Sequence, residues 1–161
     1  MSETIDIAVV GATGAVGEAM IEILEQREFP VGNLYALASE RSVGKTVRFR
    51  GKSISVSDLA EFDFSKTAIA LFSAGGSVSE EHAPRAAAAG CVVIDNTSHF
   101  RREPRIPLVV PEVNPEAIAG YRSTGIIANP NCSTIQMLVA LKPLYDAVGI
   151  SRINVATYQA V

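Results

Sequence analysis

The sequence predicts an α/β fold with a Rossmann-like, doubly wound parallel sheet, and three observations lead to this prediction. Short apolar segments alternate with amphipathic ones along the chain, a pattern typical of parallel strands joined by helices. A glycine-rich turn follows the first apolar segment, and a second one follows a later apolar segment. Of the 161 residues, 48% are hydrophobic, which is enough to bury one full core and the beginning of a second.

The apolar periodicity places the individual elements. We predict strands near residues 5–10, 33–38, 69–72, 92–94, 126–128 and 152–159, and helices near 14–27, 78–89, 114–119 and 134–148. Residues 44–56 alternate between polar and apolar and should form a hairpin or short edge strands. Ser77 and Glu80 form a capping-box pattern at the start of the second helix, and Gly90 is placed to end it.

The first glycine-rich turn, GATGAVG at 11–17, stands between a strand and a helix, which is the context that a dinucleotide-binding turn requires. Gly11 permits a tight turn, and Gly14 lets backbone N–H groups approach a pyrophosphate. Gly17 lets the helix lie close to the sheet. The G-x-x-G-x-x-G spacing is often found in extended or NADP-using members of this fold. The alternative is a purely structural turn.

The loop after the second strand bears on the choice of cofactor. Arg41 and Ser42 suit a ribose 2′-phosphate because guanidinium and hydroxyl groups both donate to phosphate oxygens. These residues predict NADP, although Glu40 could instead bind a ribose hydroxyl, and Arg41 could be a solvated loop charge. The second glycine-rich turn should lie beside the first, against the pyrophosphate or the nicotinamide ribose, unless it is a plain strand-to-helix turn. Its residues are Ser73, Ala74 and Gly75.

Cys132 stands in the motif NPNCST at 129–134, between an apolar strand and an amphipathic helix. The unpaired N–H groups of a helix N-terminus favour a thiolate, so this position suits a nucleophile. The alternative is a small buried thiol. Cys91 opens an apolar run and is interpreted as a strand residue. Neither cysteine has metal-ligand spacing around it, so we expect no metal and a reducing compartment.

Composition excludes several classes of function. The net charge is −3, from 14 basic and 17 acidic residues, and the longest basic cluster is small, so we expect no nucleic-acid partner. Apolar stretches of membrane-spanning length and a secretory signal pattern are absent from the sequence, so we expect no membrane association and a cytoplasmic location.

The predicted strand at 152–159 affects the domain organisation, because the sheet before it is already complete. We therefore expect this chain to be the first part of a longer protein. The expected domains are an NADP-binding domain over 1–131 and the truncated start of a second, α+β domain over 132–161, with its first helix and strand.

Five motifs occur in one order and together resemble the aspartate-semialdehyde dehydrogenase family. They are GATGAVG at 11–17, SAGG at 73–76, DNTSHFR at 95–101, VPEVN at 110–114 and NPNCST at 129–134. With TYQA at 157–160, the resemblance covers the whole chain. Members of the family are about twice as long, which agrees with the expected truncation.

The resemblance implies NADPH-dependent reductive dephosphorylation of L-aspartyl 4-phosphate to L-aspartate 4-semialdehyde, a step towards lysine, methionine, threonine and isoleucine. Cys132 matches the nucleophile that forms a thioester with the aspartyl group, and Asn131 would orient the acyl carbonyl. Arg101 matches the phosphate-binding residue, with Arg102 as its alternative. Without the resemblance, an Arg101 ion pair with Glu103 would be preferred. Gln159 matches a substrate contact.

The resemblance also implies cofactor contacts and an oligomer. The matching cofactor positions are Thr13, Gly14, Ala15, Val16, Arg41 and Ser42. The family forms homodimers or homotetramers through the second domain, and its general acid/base histidine and second substrate arginine would lie beyond Val161. His82 is expected to be a surface or satisfied histidine, whereas His99 could shape the phosphate loop. We therefore expect the 161-residue chain to bind cofactor weakly and not to turn over.

Two other functions compete with this one. N-acetyl-glutamyl-phosphate reductases share the fold and the thioester chemistry, but their cysteine follows Gly and precedes Tyr-Pro, whereas Cys132 lies between Asn131 and Ser133. A non-catalytic NADP-binding module would keep the fold without the chemistry, but such a module has no need for an exposed thiol.

Overall fold

The computed structural model describes residues 4–158, which form one seven-stranded sheet with helices packed against it. The strands are β1 (Ile5–Val10), β2 (Val31–Ala38), β3 (Thr46–Phe49), β4 (Lys52–Asp58), β5 (Ile69–Phe72), β6 (Val92–Asp95) and β7 (Ile126–Ala128). The helices are α1 (Ala15–Gln26), α2 (Gly76–Ala88) and α3 (Cys132–Val148). Short 3₁₀ segments lie at Glu40–Ser42, Phe64–Lys66, His99–Arg102 and Pro115–Ser123.

The strand order is β3-β4-β2-β1-β5-β6-β7, and this order confirms the doubly wound sheet. Every neighbouring pair is parallel except β3 and β4, which form the predicted hairpin. The chain leaves β1 towards β2 on one side and later returns to β5 on the other side. The topological switch point therefore lies between β1 and β5, where doubly wound folds bind ligands at the carboxyl edge.

Both faces of the sheet are covered, and alternate residues of β1 serve the two faces. Ala8 and Val10 pack in one cluster with Phe72 of β5, whereas Ile7 and Val9 pack in the other. All four β1 side chains are at most 1% exposed. Because β1 is apolar on both faces from Ile7 to Val10, this part of the strand is a continuous apolar run and not an alternating pattern.

The second helix begins earlier than the sequence predicted. Gly75 is its N-cap, with φ at +104°, and Gly76 is its first residue. Since glycine reaches positive φ without a steric penalty, the chain enters the helix before Ser77, and the predicted Ser77 capping box is wrong. The N-terminus of α2 consequently has no side-chain cap among the described residues.

The predicted strand at 152–159 is also wrong over its described part, because residues 152–158 form no strand. A strand needs an edge to pair with, and the outer edge of β7 is already occupied. Leu108 pairs with Ala128, and the Val109 N–H donates to the Ala128 carbonyl at 3.0 Å.

None of the described helices combines the length and apolarity that crossing a bilayer requires. Helix α3 is moderately apolar but contains no buried residue.

Candidate active site

The carboxyl edge of the sheet gathers nearly all the predicted site residues, because parallel strands end on the same side. Five turns meet this edge, one after each of β1, β2, β5, β6 and β7. They carry Gly11–Val16, Arg41 with Ser42, Ser73–Gly75, Arg101, and Asn131 with Cys132, respectively. Gln159, the remaining predicted residue, lies outside the described residues.

The two glycine-rich turns are in contact, as the sequence predicted. Gly11 has φ at +86°, and a Cβ placed on it would lie 3.1 Å from the backbone of Ala74. Ser73 is bonded to the end of β1, because its N–H and its Oγ donate to the Val10 carbonyl at 2.9 and 3.1 Å. The turns after β1 and β5 therefore form one continuous backbone surface at the switch point.

Helix α1 starts directly on the first turn. A Cβ on Gly17 would lie only 2.2 Å from the Gly11 carbonyl oxygen, so the helix reaches this position only with glycine. Gly14 is the N-cap and has no side chain to cap the helix. The exposed first-turn residues Ala15 and Val16 therefore present their N–H groups to a ligand, as a helix N-terminus does for a phosphate group. This arrangement fits the pyrophosphate of a dinucleotide.

The turn after β2 is joined to the same surface. The Leu37 carbonyl accepts hydrogen bonds from the N–H groups of Gly11 and Ala12, at 2.8 and 3.2 Å. Arg41 and Glu40 follow on the surface of a 3₁₀ segment, and both are exposed. Either side chain is therefore accessible to a ribose, so the preference for a 2′-phosphate remains a prediction.

Cys132 is the first residue of α3, and its side chain is exposed. Asn131 caps the helix: its Oδ1 accepts from the N–H groups of Ser133 and Thr134, at 3.0 and 3.4 Å. The alternative of a buried thiol at Cys132 is therefore wrong. Cys91 is the buried thiol of the chain, 1% exposed, and burial raises the pKa of the Cys91 thiol although Thr67 donates to its sulfur at 3.4 Å.

Arg101 is half-buried and lies between the turns after β6 and β7. Its Nε donates to the Asn129 carbonyl at 2.9 Å, and its Nη2 donates to the Asn96 carbonyl at 3.0 Å. The alternative ion pair with Glu103 does not form, because Glu103 pairs with Arg105 at 3.2 Å. Arg102, the alternative phosphate ligand, is exposed.

Two asparagines at this site were not predicted as site residues. The Asn129 Nδ2 donates to the Asn96 Oδ1 at 2.9 Å, so their side chains join the turns after β6 and β7. The sequence did contain a signal, since each asparagine directly follows a buried strand in a motif that also carries Arg101 or Cys132. Nothing in the sequence, however, indicated that the two side chains would meet.

The two histidines occupy different surroundings. His82 has a side chain that is only 12% exposed, and its Nδ1 has no hydrogen-bond partner among the described residues. The expectation of a surface or satisfied histidine is therefore wrong, and burial lowers the pKa of His82. His99 stands edge-on to the Phe100 ring at 4.5 Å, and its role in shaping the phosphate loop remains a prediction.

Comparison with known proteins agrees with this geometry. The model of a family described as semialdehyde dehydrogenase, NAD binding domain, matches residues 6–121. A curated relative from Vibrio cholerae, named aspartate-semialdehyde dehydrogenase 2, is 68% identical over 161 residues, which cover 100% of this chain and 48% of that protein.

Solved structures give the same result. A crystal structure of aspartate semialdehyde dehydrogenase II complexed with ASA, from Vibrio cholerae, superposes with a TM-score of 0.90 at 68% identity, covering 92% of this chain and 48% of that one. An aspartate semialdehyde dehydrogenase with NADP, from Candida albicans, superposes with a TM-score of 0.76 at 29% identity, over 92% of this chain and 48% of that one.

The chain spans about half the length of the curated relatives it matches, and the matched half includes both glycine-rich turns and the cysteine turn. The resemblance to aspartate-semialdehyde dehydrogenases is thereby confirmed. Through the match over residues 6–121, this chain belongs to the family described as the NAD-binding domain of semialdehyde dehydrogenases.

Proposed function

We propose that this chain is the NADP-binding and nucleophile-bearing part of an aspartate-semialdehyde dehydrogenase. The reaction is the NADPH-dependent reductive dephosphorylation of L-aspartyl 4-phosphate to L-aspartate 4-semialdehyde, which leads towards lysine, methionine, threonine and isoleucine. The observation that carries this proposal is the exposed Cys132 at the first turn of α3, on the sheet edge that also holds the two contacting glycine turns.

The cofactor fits the carboxyl edge, because the uncapped start of α1 offers N–H groups to a pyrophosphate and the Gly11 and Ala74 backbones leave no room for a side chain between them. The residues that would hold the cofactor are Gly11, Thr13, Gly14, Ala15, Val16, Ser73, Ala74 and Gly75, with Arg41 and Ser42 at the 2′-phosphate. What NADPH supplies when bound is a hydride. NADP in the Candida albicans relative supports this choice of cofactor.

The chain's own residues account for the acyl transfer. The Cys132 thiolate attacks the acyl carbon of the substrate, forming the C–S bond as the C–O bond to phosphate breaks. Asn131 orients the acyl carbonyl through its amide nitrogen, since its Oδ1 caps the helix. Arg101 keeps N–H groups beyond its two carbonyl contacts for the departing phosphate. When the aldehyde forms, the C–S bond breaks and Cys132 is again a thiolate.

The rest of the proposal concerns the longer protein. Residues 1–131 form the NADP-binding domain, and residues 132–161 begin a catalytic and dimerisation domain that contains Gln159 as a substrate contact. The absence of any buried residue in the described stretch 132–158 supports this boundary. The longer protein is a homodimer or homotetramer in the cytoplasm, where reducing conditions keep thiols free. The 161-residue chain alone binds cofactor weakly and does not turn over.

The test is phosphate-dependent formation of NADPH from L-aspartate 4-semialdehyde by the complete gene product, followed by absorbance. We expect a rate that requires phosphate and falls at least about a thousandfold in Cys132→Ala. Cys91→Ala is the matched control, since it removes the buried thiol and should keep the rate within a few fold. Activity that survives in Cys132→Ala would disprove the thioester route. Bound NADP without any rate would favour a non-catalytic module or another acyl phosphate.

A further inference from the structure

We propose that Asn96 and Asn129 are positioning residues, whose side chains clamp the turn that carries Cys132 to the turn that carries Arg101. We call the hydrogen bond from the Asn129 Nδ2 to the Asn96 Oδ1, at 2.9 Å, the asparagine clamp. This inference rests on the proposed function, in which Cys132 attacks the acyl carbon while Arg101 binds the phosphate on the same substrate. The two side chains must then keep a fixed separation, although they follow different strands.

The backbone alone does not fix that separation. The ladder between β6 and β7 ends with Asp95 opposite Ala128, and the last backbone hydrogen bond runs from the Asn129 N–H to the Asp95 carbonyl at 2.8 Å. Pro130 comes next and has no N–H to donate. Between the end of the sheet and Cys132, the position of the chain therefore depends on side chains.

Three side-chain hydrogen bonds close a ring at this point. Asn129 donates to Asn96 through the clamp, Arg101 Nε donates to the Asn129 carbonyl, and Arg101 Nη2 donates to the Asn96 carbonyl. Each of the three residues thus contacts the other two. The guanidinium group proposed to bind phosphate is the same group that holds the turn before the nucleophile.

The Asn96 side of the ring is anchored in the core. The fully buried Asp95 accepts hydrogen bonds from the Ser79 Oγ at 2.8 Å, the Thr97 N–H at 3.0 Å and the Thr97 Oγ1 at 2.8 Å. The Asn96 N–H itself donates to the Phe72 carbonyl at 2.9 Å. Since Asn96 is held by rigid neighbours, it acts as the fixed point, and Asn129 is the residue that the clamp positions.

Loss of the clamp should therefore change the rate more than it changes binding. Without it, the contacts of the Arg101 side chain are the only side-chain hydrogen bonds left in the ring, and the Cys132 turn can shift relative to Arg101. A displacement of about 1 Å at a reacting group lowers a rate by up to about a hundredfold. Among the described residues, the side-chain amides of Asn96 and Asn129 hydrogen-bond to each other and not to the turns after β1, β2 and β5 that are proposed to bind NADP. The KM for NADP should therefore stay within about twofold.

The experiment uses the complete gene product with Asn96→Ala, Asn129→Ala and the double variant. Asn33→Ala is the matched control, because the Asn33 Nδ2 donates to the Asp6 Oδ1 at 3.1 Å, away from the carboxyl edge. We would measure kcat, the KM values for NADP and phosphate, and the alkylation rate of Cys132 by iodoacetamide. If Asn129→Ala fails to fold, Asn129→Ser replaces it, because its hydroxyl is too short to reach Asn96.

We expect each single variant to lower kcat by about 10- to 100-fold and to change the alkylation rate of Cys132 at least about threefold. The double variant should be no worse than the poorer single one, because both remove the same bond. Asn96→Asp keeps the acceptor oxygen and should recover most of the kcat lost in Asn96→Ala. Asn33→Ala should change neither kcat nor alkylation.

Three results would overturn the clamp: an unchanged kcat and alkylation rate in the single variants, losses that multiply in the double variant, or an Asn96→Asp variant as slow as Asn96→Ala. Failure of the proposed function is distinguishable from these. If the complete gene product does not act on L-aspartate 4-semialdehyde, the alkylation rates of Cys132 in the same variants still decide whether the clamp positions this turn.

Discussion

At the scale of single residues, Gly14 and Gly17 stand in one turn but face different surroundings. A Cβ on Gly17 would meet the Gly11 carbonyl oxygen at 2.2 Å and the Gly11 carbonyl carbon at 2.8 Å, both backbone atoms that cannot move aside. A Cβ on Gly14 would find the Gly11 oxygen no nearer than 3.5 Å. Gly17 therefore serves the packing of α1, whereas a Cβ on Gly14 would stand at an ordinary van der Waals distance from the turn.

This difference predicts that alanine substitution lowers stability at Gly17 and weakens NADP binding at Gly14. Gly17→Ala should lower the free energy of unfolding by about 1–3 kcal/mol, because the methyl group overpacks the turn. Gly14→Ala should change the free energy of unfolding by less than about 1 kcal/mol, yet weaken NADP binding, because the methyl group takes the space of the pyrophosphate. Urea unfolding followed by circular dichroism, and calorimetric titration with NADP, check the two effects. Equal loss of stability in both variants would contradict this assignment.

At the scale of elements, Arg85 joins helix α2 to the loop after β4, and the half-buried His82 lies one turn earlier in the same helix. Arg85 donates to the carbonyls of Leu59 and Phe62, at 2.6 and 3.2 Å. His82 lies in the same helix with its Nδ1 unpartnered among the described residues. The His82 Nε2 lies 3.7 Å from the exposed Glu81 carboxylate, but the loss of solvation on the side of Nδ1 outweighs this attraction and favours the neutral imidazole.

The stability of the fold should consequently fall in mild acid. Burial is the main cause of the lowered pKa of His82, with Arg85 acting in the same direction and Glu81 and Asp58 against it. Below its ordinary value of 6.5 the histidine binds a proton in the unfolded chain before it does in the folded one. Its stabilising contribution is therefore complete above this pH and is lost as the pH falls below it.

His82→Gln, which does not titrate, should flatten this part of the pH dependence. Urea unfolding of the wild-type chain and the variant between about pH 5 and pH 7.5 measures the difference. The free energy of unfolding of the wild-type chain should drop more steeply towards acid than that of the variant. Parallel curves would mean that His82 has the same pKa in the folded and unfolded chains.

Most of the elements of the fold, and part of the candidate site, can be predicted from the sequence. The strands β1, β2, β5, β6 and β7 are predictable because each contains a short apolar run next to a turn, and the two glycine turns and Cys132 are recognisable by local spacing. The asparagine clamp could not be found this way, since its two residues are 33 positions apart and meet only through the register of β6 and β7. The strand at 152–159 was predicted from local composition, which carries no information about a pairing edge.

At the scale of the whole molecule, the core is complete before α3 begins. Every buried residue in the described range 4–158 lies at or before Pro130, and Ala128 is the last of the apolar core. In contrast, α3 leaves large apolar side chains exposed, such as Leu144 at 56% and Val148 at 82%. These side chains can contribute little to the stability of the sheet, because burial is what makes apolar side chains stabilise a fold.

A chain that ends after Asn131 should therefore fold as well as the 161-residue chain. We expect its free energy of unfolding in urea to differ by less than about 1 kcal/mol, because the removed residues include none that the structure describes as buried. A chain that ends after Thr124 is the contrasting variant, since it also lacks the buried Ile126 and Ala128 of β7. It should lose roughly 2–4 kcal/mol, with about 1.5–3 kcal/mol from the isoleucine and about 0.8 kcal/mol from the alanine methyl group. If both truncated chains were equally destabilised, α3 would belong to the folding unit of the sheet, and the proposed boundary at residue 131 would be wrong.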